Sequence, residues 1–328
     1  MLQKNIIKSI DPGRIRNFPI SFLAVTLGLS GFSLAWQRAE QILKLPFSVH
    51  SILLFTTLAV TLFVFVMYLL KLVRYPAEVK AEFYHPIKIN FYPIIAKLFL
   101  IISIILLHSQ PMVSRYLWWG GVAVQSFFTV LIMGFWIRHD KFEIHHINPS
   151  WFIPVVGSIL IPIAGVEHFH ADLSVFFFSI GIFWWIILTT LVINRVVFHH
   201  PIADKLVPTF FILFAPPVIG FIALTKINGS LTLFGNMLYY IGVFLFILII
   251  FQFRMFSRLT FYLSWWAYSF PMSALTIGTM LMYHETGYSS YLVASWLLFI
   301  TLNILILVLT VKTLHAISKR KICIEEID

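Results

Sequence analysis

The chain has 328 residues, of which 60% are hydrophobic and only 11% charged, and its net charge is +10. A soluble domain carries about 45–50% apolar and about 25% charged residues, so a water-soluble fold is excluded: too little polar side chain remains to cover one core. The positive balance does not indicate nucleic acid as a partner, because the charges sit mainly in loops and tails instead of on a basic patch of a soluble domain.

Residues 1–17 form a polar, basic tail. No short apolar segment with a small-residue cleavage site precedes the first long one, so no cleavable leader is expected. A spanning helix needs about 20 mostly apolar residues. Ten segments meet that length approximately: Phe18–Trp36, Val49–Leu72, Phe91–Leu107, Tyr116–Ile137, Trp151–Val166, Leu173–Ile193, Leu206–Thr225, Thr232–Phe251, Leu259–Met282 and Tyr291–Val311. They lack the in–out alternation over about ten residues that marks a barrel strand. Residues 18–311 are therefore read as one all-α integral membrane domain and 312–328 as a second short tail. Cys323, the single cysteine, lies in that tail, which excludes an intrachain disulfide.

Lysine and arginine set the orientation. Of 23 such residues, Arg38, Lys44, Arg115 and Lys226 fall on one side, Lys97 lies within a segment, and all others share the side of the N-terminus. By the positive-inside rule this puts both tails in the cytoplasm, and it requires an even number of spans.

Proline divides the segments into two classes. Pro19, Pro93, Pro154, Pro162, Pro208, Pro216, Pro217 and Pro271 all lie in odd-numbered segments, and the even-numbered ones have none. Proline removes a backbone donor and bends a helix, and in lipid the freed carbonyl needs a partner inside protein or beside a cavity. The odd helices are therefore expected to form an inner, kinked layer, and five odd–even helical hairpins to surround a central pore. Small residues follow the same division. Ala24, Gly28, Gly31 and Ala35 share one face of the first segment, Pro154, Gly157, Ile161 and Gly165 one face of the fifth, and Ala267, Phe270, Ala274 and Gly278 one face of the ninth. Such stripes serve close helix contact or line a passage.

No carboxylate lies at the centre of a segment; Glu167, Asp172 and Glu285 are near outer ends. Proton- and sodium-coupled carriers place acids in mid-membrane, so their absence favours an anion conduit. Lys97 in the third segment can snorkel, attract anions or pair with an acid. His139, His145 and His146, then His199 and His200, and outside Glu167, His168, His170 and Asp172 form loose clusters. They lack the three or four converging ligands of a zinc site, and no HExxH, GxxxxGK[ST] or Gly-x-Ser-x-Gly motif appears. No cofactor or metal is expected.

Four segments carry a family resemblance: FLAVTLGLSGFSLAW at Phe22 to Trp36, EVKAEFYHPIK at Glu78 to Lys88, NPSWFIPVVG at Asn148 to Gly157, and SWWAYSFPMSA at Ser264 to Ala274. In order and spacing, from about Asn17 to Lys312, the chain resembles the bacterial TehA proteins, the tellurite-resistance and dicarboxylate transporter family that includes plant slow anion channels. The resemblance implies ten helices as five hairpins around a pore, a homotrimer with one pore per protomer, and transport of small anions. It also implies a phenylalanine gate on the ninth helix, here Phe270. Where the family has glycine after that phenylalanine, this chain has Pro271, which bears on how the helix bends. The plant channels have long phosphorylated tails; those read here, 1–17 and 312–328, are short, so regulation by kinases is not expected to carry over.

The expected function is a gated channel for small monovalent anions, occluded by Phe270 and flanked by Ala267, Pro271, Ala274 and Gly278. Pore-lining candidates are Ser21, Gly28, Gly31, Pro154, Gly157, Ser158, Thr209, Pro216, Ser273 and Thr276, the hydroxyls among them serving as donors. A carrier of C4-dicarboxylates or tellurite-like oxyanions is the alternative. A membrane metalloenzyme using the outer Glu167, His168 and His170 or the loop histidines is the reading from another class. The partners are membrane lipid and small inorganic or organic anions, and the location is a bacterial inner membrane.

Overall fold

A computed structural model of the chain describes residues 12–138 and 142–323; residues 1–11 of the N-terminal tail, His139 and residues 324–328 fall outside them. Among the described residues every regular element is a helix, and nine helices are long and apolar enough to cross a membrane. These are α1 (Ile20–Ile42), α2 (His50–Arg74), α3 (Lys88–Leu106), α4 (Pro111–Arg138), α5 (Pro149–His168), α6 (Ala171–Phe198), α7 (Asp204–Asn228), α8 (Leu233–Phe251) and α10 (Ser289–Ser318). Between the last two lies α9 (Ser269–Thr286), preceded by a 3₁₀ stretch at Leu263–Tyr268. It is less apolar because it carries Ser269, Ser273, Thr276 and Thr279, all buried against protein.

The boundaries differ from the sequence expectation where local chemistry overrides hydropathy. The ninth segment starts and ends later than expected: 259–262 is not helical, and the helix runs past His284 and Glu285 to Gly287, whose left-handed φ of 69° closes it. Helix α10 continues beyond Val311 to Ser318, so the first part of the expected C-terminal tail is helical. Helix α4 begins at Pro111, a proline in its first turn, where no intrahelical N–H is lost. Within the second loop, Pro76–Tyr84 is itself a short helix.

Proline shows in the helix type. The first turns of α1, α3 and α7 are 3₁₀, α9 follows directly on the 3₁₀ stretch Leu263–Tyr268, and α5 is made of four alternating 3₁₀ and α-helical pieces. In contrast, α2, α4, α6, α8 and α10 run unbroken for 19 to 30 residues. Neighbouring helices supply the partners that irregular backbone lacks. Gln125 Nε2 and Thr129 Oγ1 of α4 donate to the Pro154 carbonyl at 2.7 and 2.8 Å, and Trp118 Nε1 donates to the Ile161 carbonyl at 2.9 Å. This satisfies buried backbone that would otherwise go unpaired.

Each odd helix packs along the even helix that comes after it in the chain. The odd helices also pack on one another, α1 on α3, α3 on α5, α5 on α7, α7 on α9 and α9 back on α1, which closes a ring. The even helices lie outside that ring and expose apolar side chains such as Phe127, Val130 and Phe251. Such a belt has no place in water and fits lipid, and the chain is an integral membrane protein.

On the basic face a buried cluster fastens the short helix Pro76–Tyr84. Glu82 Oε2 pairs with Lys71 Nζ at 2.9 Å and accepts from Tyr68 Oη at 2.9 Å, while Lys71 Nζ also donates to the Phe18 carbonyl at 2.8 Å. Arg16 binds Glu78 of the same helix. The EVKAEFYHPIK segment thus ties the entries of α1, α2 and α3 together. Cys323 packs half-buried nearby, and burial pushes its thiol up to about 11 against the opposing pull of Arg14 and Lys71.

Candidate functional site

The ring of odd helices encloses two cavities stacked along its axis. The basic-side chamber, about 80 Å³, is bounded by the first halves of the helices, through Ala24, Leu27, Ile94, Lys97, Gly157, Thr209, Pro216, Ser264 and Ala267. The opposite chamber, about 230 Å³, is bounded by their second halves, through Gly31, Arg38, Ile104, Lys226, Ser273, Ala274, His284 and Glu285. Three residues belong to both walls: Leu160 of α5, Ile219 of α7 and Phe270 of α9. Apolar side chains therefore separate the chambers, and Phe270 is the one aromatic ring among them.

The sequence near Phe270 makes room for this ring. Gly31 of α1 faces it so closely that a Cβ there would lie 2.9 Å from Phe270 Cδ2. Pro271 is the third residue of the α-helical part of α9. It lacks the N–H that would bond back to a carbonyl of the preceding 3₁₀ stretch, and it sits just after the change from 3₁₀ to α-helix between Tyr268 and Ser269.

The other expected residues divide between the chambers and the helix contacts. Gly157, Thr209, Pro216, Ala267 and Pro271 line the basic-side chamber, and Gly31, Ser273 and Ala274 the opposite one. Ser21, Gly28, Pro154, Ser158, Thr276 and Gly278 line neither. Gly28 faces Trp266 and Ser269, and Gly278 faces Val218, so both serve close helix packing. The hydroxyls are occupied: Ser158, Thr209, Ser273 and Thr276 each donate to a carbonyl three or four residues back on their own helix. They offer lone pairs to a neighbour but no free proton.

The mouth of the opposite chamber is mixed in charge. Arg38, Lys226 and His284 line it together with Glu285, and Arg38 donates to Gln41 Oε1 at 3.0 Å. Among the histidine clusters, His168 Nε2 lies 2.8 Å from Ser114 Oγ, and among the described residues no three His, Cys, Asp or Glu side chains converge as metal ligands.

Sequence reasoning missed Leu160 and Ile219, which line both chambers together with Phe270, and Gln125, which bridges Lys97 to the Pro154 carbonyl. An amide in mid-segment is itself a signal, since polar groups there are costly unless used. Leu160 and Ile219 carry none, because an aliphatic side chain in an apolar segment is unremarked.

The sequence model of one protein family, SLAC1: voltage-dependent anion channel, matches residues 17–314. S-type anion channel SLAH2 of Arabidopsis thaliana is 28% identical over 315 residues, covering 92% of this chain and 60% of that protein. An uncharacterized transporter of Methanocaldococcus jannaschii is 30% identical over 302 residues, with 84% and 87% covered. The tellurite resistance protein TehA homolog of Haemophilus influenzae is 26% identical over 310 residues, with 92% and 91% covered. The chain spans 60% of the length of SLAH2 and 42% of that of S-type anion channel SLAH3.

Proposed function

The chain belongs to the SLAC1 family of voltage-dependent anion channels, and on that footing we propose that it is a gated channel for small monovalent anions, ten helices in five hairpins around a pore that Phe270 occludes. One observation carries the gate: the two chambers on the axis of the ring have Leu160, Ile219 and Phe270 in both of their walls. An apolar constriction of this kind stops ions by excluding water, and turning the ring aside rewets the path. The remaining walls fit weak anion binding, which conduction requires for fast exit, since no carboxylate lines the basic-side chamber.

The positive-inside count supports termini on the cytoplasmic side of a bacterial inner membrane. Assembly as a homotrimer, contacting through the even helices, is implied by the family resemblance. A carrier of dicarboxylates or tellurite-like oxyanions is the second reading, favoured by the likeness to the TehA homolog.

The test is current through the purified protein in planar bilayers. Wild type is expected to be nearly silent and Phe270→Ala to pass chloride and nitrate readily. Silence in both, with assembly intact, overturns the channel, and saturable exchange of radiolabelled malate then supports the carrier.

A further inference from the structure

We infer that Lys97 holds one small monovalent anion, a halide or nitrate, in the basic-side chamber. This rests on the channel reading and adds to it the binding group and the charge of the bound species.

A lysine inside a span ordinarily snorkels to the surface or pairs with an acid. Lys97 does neither. It is only 4% exposed, and among the described residues no carboxylate lies within ion-pair distance of it. Its ammonium donates to two neutral acceptors, Gln125 Oε1 at 2.6 Å and the Pro93 carbonyl at 3.2 Å. An ammonium has three donors, so one is left. Gln125 is held in turn by its bond to the Pro154 carbonyl, which fixes the oxygen that positions the lysine.

Lys97 lines the basic-side chamber. Gly157 on α5 faces it, and any side chain there would collide with Lys97 Cε and Nζ. That glycine is therefore required for the lysine to reach its place. A second polar group of the same wall is also uncommitted: Ser264 Oγ is buried and has no hydrogen-bond partner. The rest of the wall is almost wholly apolar, and Lys97 is its only formal charge.

The charge and size of the chamber set the ligand class. A single positive charge out of water is costly until compensated, and one monovalent anion compensates it. A divalent anion would leave a net negative charge in the same apolar space. The chamber measures about 80 Å³, room for a small anion and little else.

The test uses Phe270→Ala as the open background, in planar bilayers under a potassium chloride gradient. Lys97→Met keeps the length of the side chain and removes its charge. The chloride-to-potassium permeability ratio is expected to fall about tenfold, and the chloride concentration that half-saturates single-channel conductance to rise about tenfold, as the loss of a pore charge implies. Both are properties of each open channel and do not depend on how much protein folds. Gly157→Ala keeps the charge and displaces it, and is expected to move both values the same way by a smaller factor. Values within about twofold of the background overturn the inference; should Lys97→Met fail to assemble, Gly157→Ala decides on the same criterion. If Phe270→Ala itself passes no current, the channel reading fails separately. Line broadening in chloride NMR of the purified protein then decides the site: loss in Lys97→Met supports it and retention overturns it.

Discussion

Helices α2 and α5 differ in almost everything that their hydropathy conceals. Of the most apolar stretch of α2, 11% is buried; of that of α5, 83%. Helix α2 runs 25 residues without interruption, and α5 is pieced together from 3₁₀ and α-helical turns around Pro154 and Pro162. A helix against lipid must satisfy its own backbone. A helix against protein can lend out carbonyls, and α5 does so to Gln125, Thr129 and Trp118 of α4. The outer layer thus supplies regular helix and greasy surface, and the inner layer is free to bend, thin its side chains and leave space on the axis.

The largest expected effect falls on the inner layer. Phe270→Ala removes the one ring between the chambers, and current is expected to rise roughly 100-fold, corresponding to about 3 kcal/mol of barrier; bilayer recording measures it. Gln125→Leu removes one of the two hydrogen bonds to the Pro154 carbonyl and leaves Lys97 Nζ without its Gln125 acceptor, at a cost of about 1–3 kcal/mol, read as a melting temperature several degrees lower in detergent. Gly31→Ala crowds the ring from α1. Overpacking of this size costs about 1–3 kcal/mol; it is expected to destabilise the closed position and raise current several-fold. The rise should vanish in the Phe270→Ala background, because the two changes act on one contact. On the outer layer Phe127→Leu at the lipid surface is expected to leave stability within about 0.5 kcal/mol and current unchanged. An outer substitution that gates the current, or an inner one without effect, would erase the distinction between the layers.

Much of this contrast was legible in the residues. The parity of proline, from Pro19 to Pro271, marked the helices that the structure shows broken, because the missing N–H is a local property. The hydropathy reading was less complete for α9, whose serines and threonines lower its apolar character while it lies buried among neighbours. A scale of transfer into lipid does not describe a helix that faces protein.

Composition, segment length and proline act residue by residue. They were enough to make the chain an α-helical membrane protein, to place its helices approximately and to mark which of them bend. Which side chains meet is a property of the packed fold alone. Leu160, Ile219 and Phe270 come from three helices far apart in the chain, and Lys97 found a glutamine and a glycine instead of an acid. The faces of the inner helices were also beyond reach of counting. A 3₁₀ stretch turns every 3.0 residues and an α-helix every 3.6. Each change of type rotates the remainder of its helix, so which residues face the axis is set by packing and not by spacing.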